Sequence, residues 1–197
     1  MIISRESTKK RNIMILLFVL PMWMNFLLRT YAWMTLLGKN GVINFLIGKL
    51  GLKPLNLLYN DSAVLMGMIY NFLPFMVLPI YSVLIKMDKS LIEAAEDLGA
   101  NKIEVFLKII FPLSLPGVIS GITMVFMPAL STFVISRLLG GGQYYLIGNL
   151  VEQQFLLAGD WHFGSTISII MMVFILIAMI ITEKFDKNKG KEGGGLW

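Results

Sequence analysis

Residues 86–112 have the sequence KMDKSLIEAAEDLGANKIEVFLKIIFP, and a long apolar run lies on each side of them. Ser90 and Glu93 have the spacing of a helix capping box, and Gly99 is placed to end that helix. Asn101, with Glu104 three residues later, begins a second helix in the same way. The apolar faces consist of Leu91, Ala94, Ala95 and Leu98 in the first helix and Ile103, Phe106, Leu107 and Ile110, ahead of Pro112, in the second. The pattern predicts two short amphipathic helices around a glycine turn, a shape suited to a groove in a partner protein.

The apolar runs beside this stretch belong to a set of four, at residues 13–37, 62–85, 113–135 and 163–182. Each is long enough to cross a hydrocarbon core of about 30 Å, which takes about 20 helical residues. Of the whole chain, 56% is hydrophobic and 15% charged, with a mean hydropathy of +0.74, which is far more apolar than a soluble domain. The predicted fold class is therefore all-α, a polytopic membrane helix bundle with four transmembrane helices.

Several chemistries are excluded by the residues that the chain lacks. It has no cysteine and one histidine, His162, so a zinc or thiolate site has no ligand cluster and we expect no metal and no cofactor. The chain has no His/Asp pair and no G-x-S-x-G or H-E-x-x-H motif, so we expect no enzyme activity. It also has no phosphate-binding loop of the G-x-x-x-x-G-K-[ST] type, so we expect ATP hydrolysis only in another chain. The net charge of +5 comes from short basic groups rather than one basic face, which argues against nucleic acid as a partner.

The basic residues instead indicate the topology. If the N-terminus is cytoplasmic, the inner segments carry twelve of the 17 lysines and arginines, and the outer loops carry four, Lys39, Lys49, Lys53 and Arg137. This positive-inside bias predicts cytoplasmic termini and a cytoplasmic loop at 86–112. The predicted domains are a cytoplasmic segment at 1–12, a transmembrane domain at 13–182 and a Lys/Gly-rich, disordered cytoplasmic tail at 183–197.

Two features within the spans have more than one interpretation. Pro74 and Pro79 in the second span remove backbone donors, so the bent helix could line a pathway, although prolines are also common in ordinary membrane helices. Arg29 lies within the first span, where a charge is costly in lipid. It is either an interfacial anchor beside Tyr31 and Trp33 or a pathway residue.

The loop at 86–112 resembles the EAA loop of binding-protein-dependent ABC importer permeases. The family pattern is Glu-Ala-Ala, three residues, Gly, nine residues and Ile-x-Leu-Pro, and this chain departs from it at one position, where Phe111 replaces the leucine. In that family the loop forms coupling helices that sit in a cleft of the ATPase subunit. The resemblance assigns this ATPase-coupling contact to the matching residues Glu93, Ala94, Ala95, Gly99, Ile109 and Pro112. The alternative is an ordinary amphipathic loop helix.

Almost the whole chain also resembles the PotB-type permeases of spermidine/putrescine ABC transporters, for example in PMWMNFLLRTYAW and TFVISRLLGGGQYYLIGNLVEQQF. This resemblance implies the type I ABC importer permease fold, which is MetI-like, in a bacterial inner membrane. It also implies a PotC-type second permease, an ABC ATPase dimer and an extracytoplasmic polyamine-binding protein as partners, with the lipid bilayer around them. Such permeases have six membrane helices and the match covers the last four, so we expect the first two to be missing.

A polyamine pathway should offer carboxylates, carbonyl groups and aromatic faces to a flexible polycation. The candidate pathway residues are Tyr70, Asn71, Phe75, Tyr81, Glu152 and Asp160. The outer segment with Gly140, Gly141 and Gly142 is either a contact surface for the binding protein or a loop that closes the bundle. Two alternative functions also stay open, a permease for another small solute and a non-transporting, truncated permease fragment.

Overall fold

The structure is a computed structural model that describes the backbone of residues 8–192 and the side chains of Lys10 and residues 13–182. Its α-helices are α1 (Thr8–Val19), α2 (Phe26–Leu37), α3 (Val42–Lys49), α4 (Asp61–Lys86), α5 (Ser90–Asp97), α6 (Lys102–Val105), α7 (Phe111–Ser131), α8 (Val134–Leu139), α9 (Ile147–Gln153) and α10 (Trp161–Glu192). A 3₁₀ turn follows α1 at Leu20–Trp23, and π-helical turns follow α6 at Phe106–Ile110 and α9 at Gln154–Ala158. Residues 1–7 and 193–197, parts of the predicted terminal segments, lie outside the described residues.

Three helical stretches are long and apolar enough to cross a membrane: Asp61–Lys86, Lys102–Ser131 and Trp161–Thr182. They contain most of the second, third and fourth predicted spans. A fourth crossing is possible if the bent pair Ile13–Trp23 and Phe26–Lys49 counts as one span. The described residues form helices and connecting loops, so the predicted all-α fold class is confirmed.

The prediction of one continuous span at 13–37 is wrong. The chain turns by 95° between Ile13–Trp23 and Phe26–Lys49. Asn25 causes the new start, because its side-chain oxygen accepts the N–H groups of Leu27 (2.8 Å) and Leu28 (3.4 Å) and so caps α2. Pro21, which has no N–H to donate, lies in the 3₁₀ turn just before it.

The predicted limits of the third span, 113–135, are also wrong at both ends. The second loop helix does not stop before Pro112, since α6, the π turn and α7 form one helical stretch, Lys102–Ser131. The N–H of Phe111 donates to the carbonyl of Phe106, five residues back, and this wider turn carries the helix past the proline. At the other end the helix stops at Ser131, and α8 begins separately at Val134.

The chain divides into two compact units, and the first comprises residues 1–19, 74–125 and 176–197. A close contact joins α7 to α4 at Gly117. A Cβ atom on Gly117 would lie 2.9 Å from both the Cα atom of Ile80 and the carbonyl oxygen of Pro79. Gly121, one turn later, lies in the same way against Met76. Small residues four apart therefore allow the two helix backbones to touch, as is common between membrane helices.

The second unit comprises residues 20–73 and 126–175. In it, α2 packs against α3 and α8, and Ile135 and Leu139 of α8 are fully buried. Gly67 of α4 lies against the side chains of both. The N–H of Tyr59 donates to the carbonyl of Leu139 (2.9 Å), which joins the chain entering α4 to the end of α8. Together these contacts form the buried core of this unit.

Candidate coupling loop and substrate pathway

Helix α5 presents the Glu-Ala-Ala sequence on an open surface. Glu93 and Ala94 are exposed, and Ala95 is half-buried. The predicted capping box of Ser90 and Glu93 is wrong, because the helix already starts at Ser90 and the residue before it has helical dihedral angles. Asp88 takes over the capping role, and its carboxylate accepts the N–H of Ser90 at 3.0 Å. This hydrogen bond, and a further one from the Ser90 hydroxyl, hold the pKa of Asp88 below its usual value.

Gly99 ends α5, as the sequence predicts. It has φ +83°, in the left-handed region that favours glycine. The N–H of Ala100 donates to the carbonyl of Ala95 (3.0 Å), and the N–H of Gly99 donates to that of Glu96 (3.0 Å). These two bonds form a Schellman motif, which satisfies the last carbonyl groups of the helix and turns the chain sharply.

The start of α6 is a complete capping box, as predicted. The side-chain oxygen of Asn101 accepts the N–H groups of Ile103 and Glu104 at 3.0 Å, and the Glu104 carboxylate accepts the N–H of Asn101, also at 3.0 Å. Because Gly99 and Asn101 are two residues apart, α5 and α6 are joined by a short turn with hydrogen-bonded caps on both sides. Ile109 is half-buried and Pro112 exposed in the helical stretch that follows.

An apolar surface remains open on this loop. Leu98 is 89% and Ile103 71% exposed, and Leu91 and Leu107 are about half exposed. In α6 and the π turn that follows it, the buried residues are Val105 and Ile110. Glu93, Glu96 and Asp97, which are also exposed, lie in the same short helix as Leu91. Large apolar side chains with charged residues around them are typical of a protein contact surface.

Tyr70 and Asn71, two of the pathway candidates, lie in the second unit. The ring of Tyr70 packs edge-to-face on Trp33 of α2, with 5.2 Å between the ring centroids. Asn71 is 2% exposed; its side-chain nitrogen donates to the carbonyl of Gly67 (2.9 Å), and its side-chain oxygen has no partner. Asn71 therefore keeps one buried acceptor.

Phe75 and Tyr81, both half-buried, lie on the part of α4 that belongs to the first unit. Helix α4 continues through Pro74 and Pro79 without interruption. A proline has no N–H, so the carbonyl groups four residues earlier, those of Tyr70 and Phe75, lose their helical donors. Two of the predicted residues thus offer carbonyl oxygens as well as aromatic rings.

Glu152 and Asp160 already have partners within the second unit. The largely buried carboxylate of Glu152 forms an ion pair with the exposed guanidinium of Arg137. Asp160 caps α10, since its carboxylate accepts the N–H of Phe163 at 3.0 Å. A polyamine ammonium group would have to compete with these contacts.

Asn149, which the sequence patterns did not indicate, organises the segment that contains α8 and α9. Its side-chain nitrogen donates to the carbonyl of Phe133 (3.0 Å), and its oxygen accepts the N–H of Leu146 (3.0 Å) and the hydroxyl of Ser136. Gly148 lies against the carbonyls at the end of α7, where a Cβ atom would be 2.5 Å from the Thr132 oxygen. Asn149 and Gly148 therefore fix the break between α7 and α8. In the sequence, the signal for this arrangement was the pair Gly148 and Asn149, a few residues after Gly140, Gly141 and Gly142.

Arg29 does not have the geometry of an interfacial anchor. Only 9% of its surface is exposed, whereas an anchoring arginine extends its charged end towards water and headgroups. Two of its three guanidinium nitrogens, Nε and Nη1, are enclosed by the protein. This burial disfavours the interpretation of Arg29 as an anchor beside Tyr31 and Trp33.

Comparison with known proteins places these features in a family. The family model described as "Binding-protein-dependent transport system inner membrane component" matches residues 6–191. The spermidine/putrescine transport system permease protein PotB of Haemophilus influenzae is 40% identical over 188 residues, which are 94% of this chain and 65% of that protein. PotB of Escherichia coli is 40% identical over 192 residues, 96% of this chain and 70% of that protein. The chain thus spans about two thirds of the length of these relatives, which are transport permeases and not enzymes.

Among solved structures, a chain of a bacterial alginate ABC transporter, crystallised with its alginate pentasaccharide-bound periplasmic protein, has the same fold. The TM-score is 0.77 at 17% identity, and the match covers 95% of this chain and 69% of the other. The apolar helices, the open loop at 86–112 and the family match agree on a multi-pass protein of the inner membrane. This chain belongs to the family of binding-protein-dependent transport system inner membrane components.

Proposed function

We propose that this chain is a permease subunit of an ATP-driven ABC importer and that its substrates are polyamines such as spermidine and putrescine. The observation that carries the proposal is the open loop with Glu93 and Gly99, in a chain 40% identical to spermidine/putrescine permeases. The chain would act with an ABC ATPase dimer, a PotC-type second permease and an extracytoplasmic polyamine-binding protein. ATP would be hydrolysed by the ATPase and not by this chain.

The loop geometry suits mechanical coupling. Its exposed apolar face, Leu91, Leu98 and Ile103, is the part that would enter a cleft of the ATPase, with Glu93 beside it. Since α6 continues through the π turn into α7 without a loop, a displacement of the docked helices would be passed directly to a membrane helix. Closure of the ATPase on ATP would in this way change the packing of α7.

The pathway that we propose uses α4. The carbonyl oxygens of Tyr70 and Phe75 and the free side-chain oxygen of Asn71 are acceptors that suit the ammonium groups of a polyamine. The rings of Tyr70 and Tyr81 could add cation–π attraction of about 0.5–2 kcal/mol each. Glu152 and Asp160 are weaker candidates, because Arg137 and the start of α10 already occupy their carboxylates.

The topology that accompanies the proposal has both termini and the coupling loop in the cytoplasm. The chain has no cysteine, so single cysteines introduced at Lys102 and Gly141 would be the only thiols in it. We expect a membrane-impermeant maleimide to label the two positions from opposite faces of sealed vesicles. Labelling of both from the same face would overturn this topology.

The function itself is tested by uptake into proteoliposomes that contain this chain, the second permease and the ATPase, with the binding protein outside and ATP inside. We expect ATP-dependent accumulation of radiolabelled spermidine, competed by unlabelled putrescine. Vesicles with ADP in place of ATP are the control. Uptake of another solute but not of spermidine would leave the permease standing and remove polyamines as substrates; no ATP-dependent uptake of any solute would remove the importer function.

A further inference from the structure

Helix α3 exposes an apolar face that contains a lysine. Val42, Phe45, Leu46 and Lys49 have the i, i+3, i+4, i+7 spacing of residues on one side of a helix. All four are exposed, and 61% of the surface of Phe45 is open. The Nζ atom of Lys49 lies 4.8 Å from the centroid of the Phe45 ring, so the positive charge sits on the apolar face itself.

Asn44, which is buried, holds this helix within a closed segment, residues 38–55. Its side-chain nitrogen donates to the carbonyls of Gly38 (3.2 Å) and Leu55 (2.9 Å), and its side-chain oxygen accepts the N–H of Leu55 (2.8 Å). Both ends of the segment are therefore fastened to the middle of α3. The apolar face belongs to a fixed element of the fold and not to a loose loop.

The chain leaves this segment directly into a membrane helix. Helix α4 begins at Asp61 and is long and apolar enough to cross the hydrocarbon core, so the segment that leads into it lies near one surface of the membrane. Three more leucines of the segment are exposed, at positions 50, 52 and 55. Large apolar side chains at the level of the headgroups are typical of helices that lie in the membrane interface.

The charge of this segment has one sign. Between residues 38 and 60 the chain has three lysines, Lys39, Lys49 and Lys53, and no aspartate or glutamate. All three lysines are exposed, and none forms an ion pair with another described residue. The loop at 86–112 also exposes leucines, but it has five carboxylates beside its four lysines. Only the segment at 38–55 therefore combines open apolar side chains with an uncompensated positive charge.

Two partners would satisfy these lysines, and the apolar side chains distinguish them. An acidic protein surface would need shaped pockets for several exposed leucines and a phenylalanine as well. A layer of anionic phospholipid offers phosphates to the lysines and, directly below them, acyl chains that accept apolar side chains of any shape. A lysine on an apolar face extends its ammonium group from the acyl chains to the phosphates.

We propose that residues 38–55 dock on anionic phospholipid. The exposed face of α3 lies among the upper parts of the acyl chains, and the three lysines contact lipid phosphates. Because Asn44 makes the segment rigid, this contact fixes the level in the membrane at which α4 begins. The inference concerns the lipid around the permease and does not depend on which solute it imports.

The test is the quenching of a fluorophore on this segment by spin-labelled lipid. The full chain with Leu50→Cys carries the fluorophore on its only thiol, in vesicles of phosphatidylcholine with a small fraction of lipid spin-labelled near the headgroup end of its acyl chain. We expect labelled phosphatidylglycerol to associate at this position at least about fivefold more strongly than labelled phosphatidylcholine, the effect of one lysine near an anionic surface. High salt should weaken this preference. Leu98→Cys, an exposed leucine of the loop at 86–112, is the matched control and should show no preference.

The lysines are tested by changing all three together in the Leu50→Cys chain. Lys39→Gln with Lys49→Gln and Lys53→Gln should abolish the preference for phosphatidylglycerol, whereas arginine at the same three positions should keep it. Equal quenching by both lipids in the parent, or an unchanged preference in the glutamine variant, would overturn the proposal. It would also be overturned if neither lipid quenched the fluorophore and added binding protein shielded it, since the segment would then be a protein contact.

Discussion

Replacing Gly117 with alanine tests the close contact between α7 and α4. The added Cβ atom would lie 2.9 Å from the Ile80 Cα and from the Pro79 carbonyl oxygen, and 3.0 Å from Val83 Cγ2. Two of these three atoms belong to the backbone, so the strain cannot be relieved by a side-chain rotation. The helices must separate, which also loosens the contact of Gly121 with Met76.

The expected cost follows from two opposing terms. Adding one carbon to a close-packed site costs about 1–3 kcal/mol. Alanine is preferred to glycine within a helix by about 0.5–1 kcal/mol, which offsets part of this. We therefore expect Gly117→Ala to lower the free energy of unfolding by about 1–2 kcal/mol, and Gly48→Ala, on an exposed helix face with nothing within 4 Å of the new Cβ, to raise it by about 0.5–1 kcal/mol.

The assay is reversible unfolding of the purified chain in detergent, followed by circular dichroism as the fraction of sodium dodecyl sulfate rises. Each variant adds the same single methyl group to the parent chain. Opposite changes in the free energy of unfolding would therefore be due to the helix packing at Gly117. If Gly117→Ala stabilised the chain as Gly48→Ala should, the helices would not be in backbone contact at Gly117, and the packing described for the first unit would be incorrect.

Three further predictions concern the loop. Asn101→Ala should remove the capping box and destabilise α6 by about 1 kcal/mol in hydrogen exchange, whereas Ser90→Ala, which caps nothing, should change α5 by less than about 0.5 kcal/mol. Folding lowers the pKa of Asp88, so the hydrogen bond from the Ser90 N–H contributes its full stability above the unfolded pKa of about 4. Protection of the Ser90 amide from exchange should therefore fall only as the pH drops below about 4. Constant protection below that pH would contradict this role of Asp88. Asp88→Asn, which keeps the acceptor oxygen, should preserve protection and abolish its pH dependence.

Local patterns were sufficient for part of the loop. Gly99 and the pair of Asn101 and Glu104 were predicted correctly, because a helix end and its cap depend on residues within one turn of each other. The same logic failed for Ser90, where Asp88, two residues earlier, offers a competing acceptor. The presence of the second, third and fourth spans was also predictable, since a span needs only length and apolar composition.

Features that depend on distant or unusual backbone contacts were not predictable in this way. The break at Asn25 lies in an apolar run whose composition favours one continuous span, and the capping bonds to Leu27 and Leu28 fix the new helix start. The end of α7 depends on Asn149, 16 residues after Phe133. The pairing of Glu152 with Arg137 likewise joins α9 to α8 and has no local pattern.

The central claim is that the loop at 86–112 couples ATP hydrolysis to transport, and its most direct test is the amount of spermidine imported per ATP hydrolysed. Gly99 has φ +83° and open space around it, so a substitution there acts through the turn and not through a clash. Gly99→Asn tolerates this conformation and should keep the parent ratio, whereas Gly99→Val should lower it several-fold while the chains still assemble. Gly51→Val, with a similar φ of +75° in the segment between α3 and α4, is the control for backbone strain. An unchanged ratio for Gly99→Val, or an equal loss for Gly51→Val, would contradict the claim.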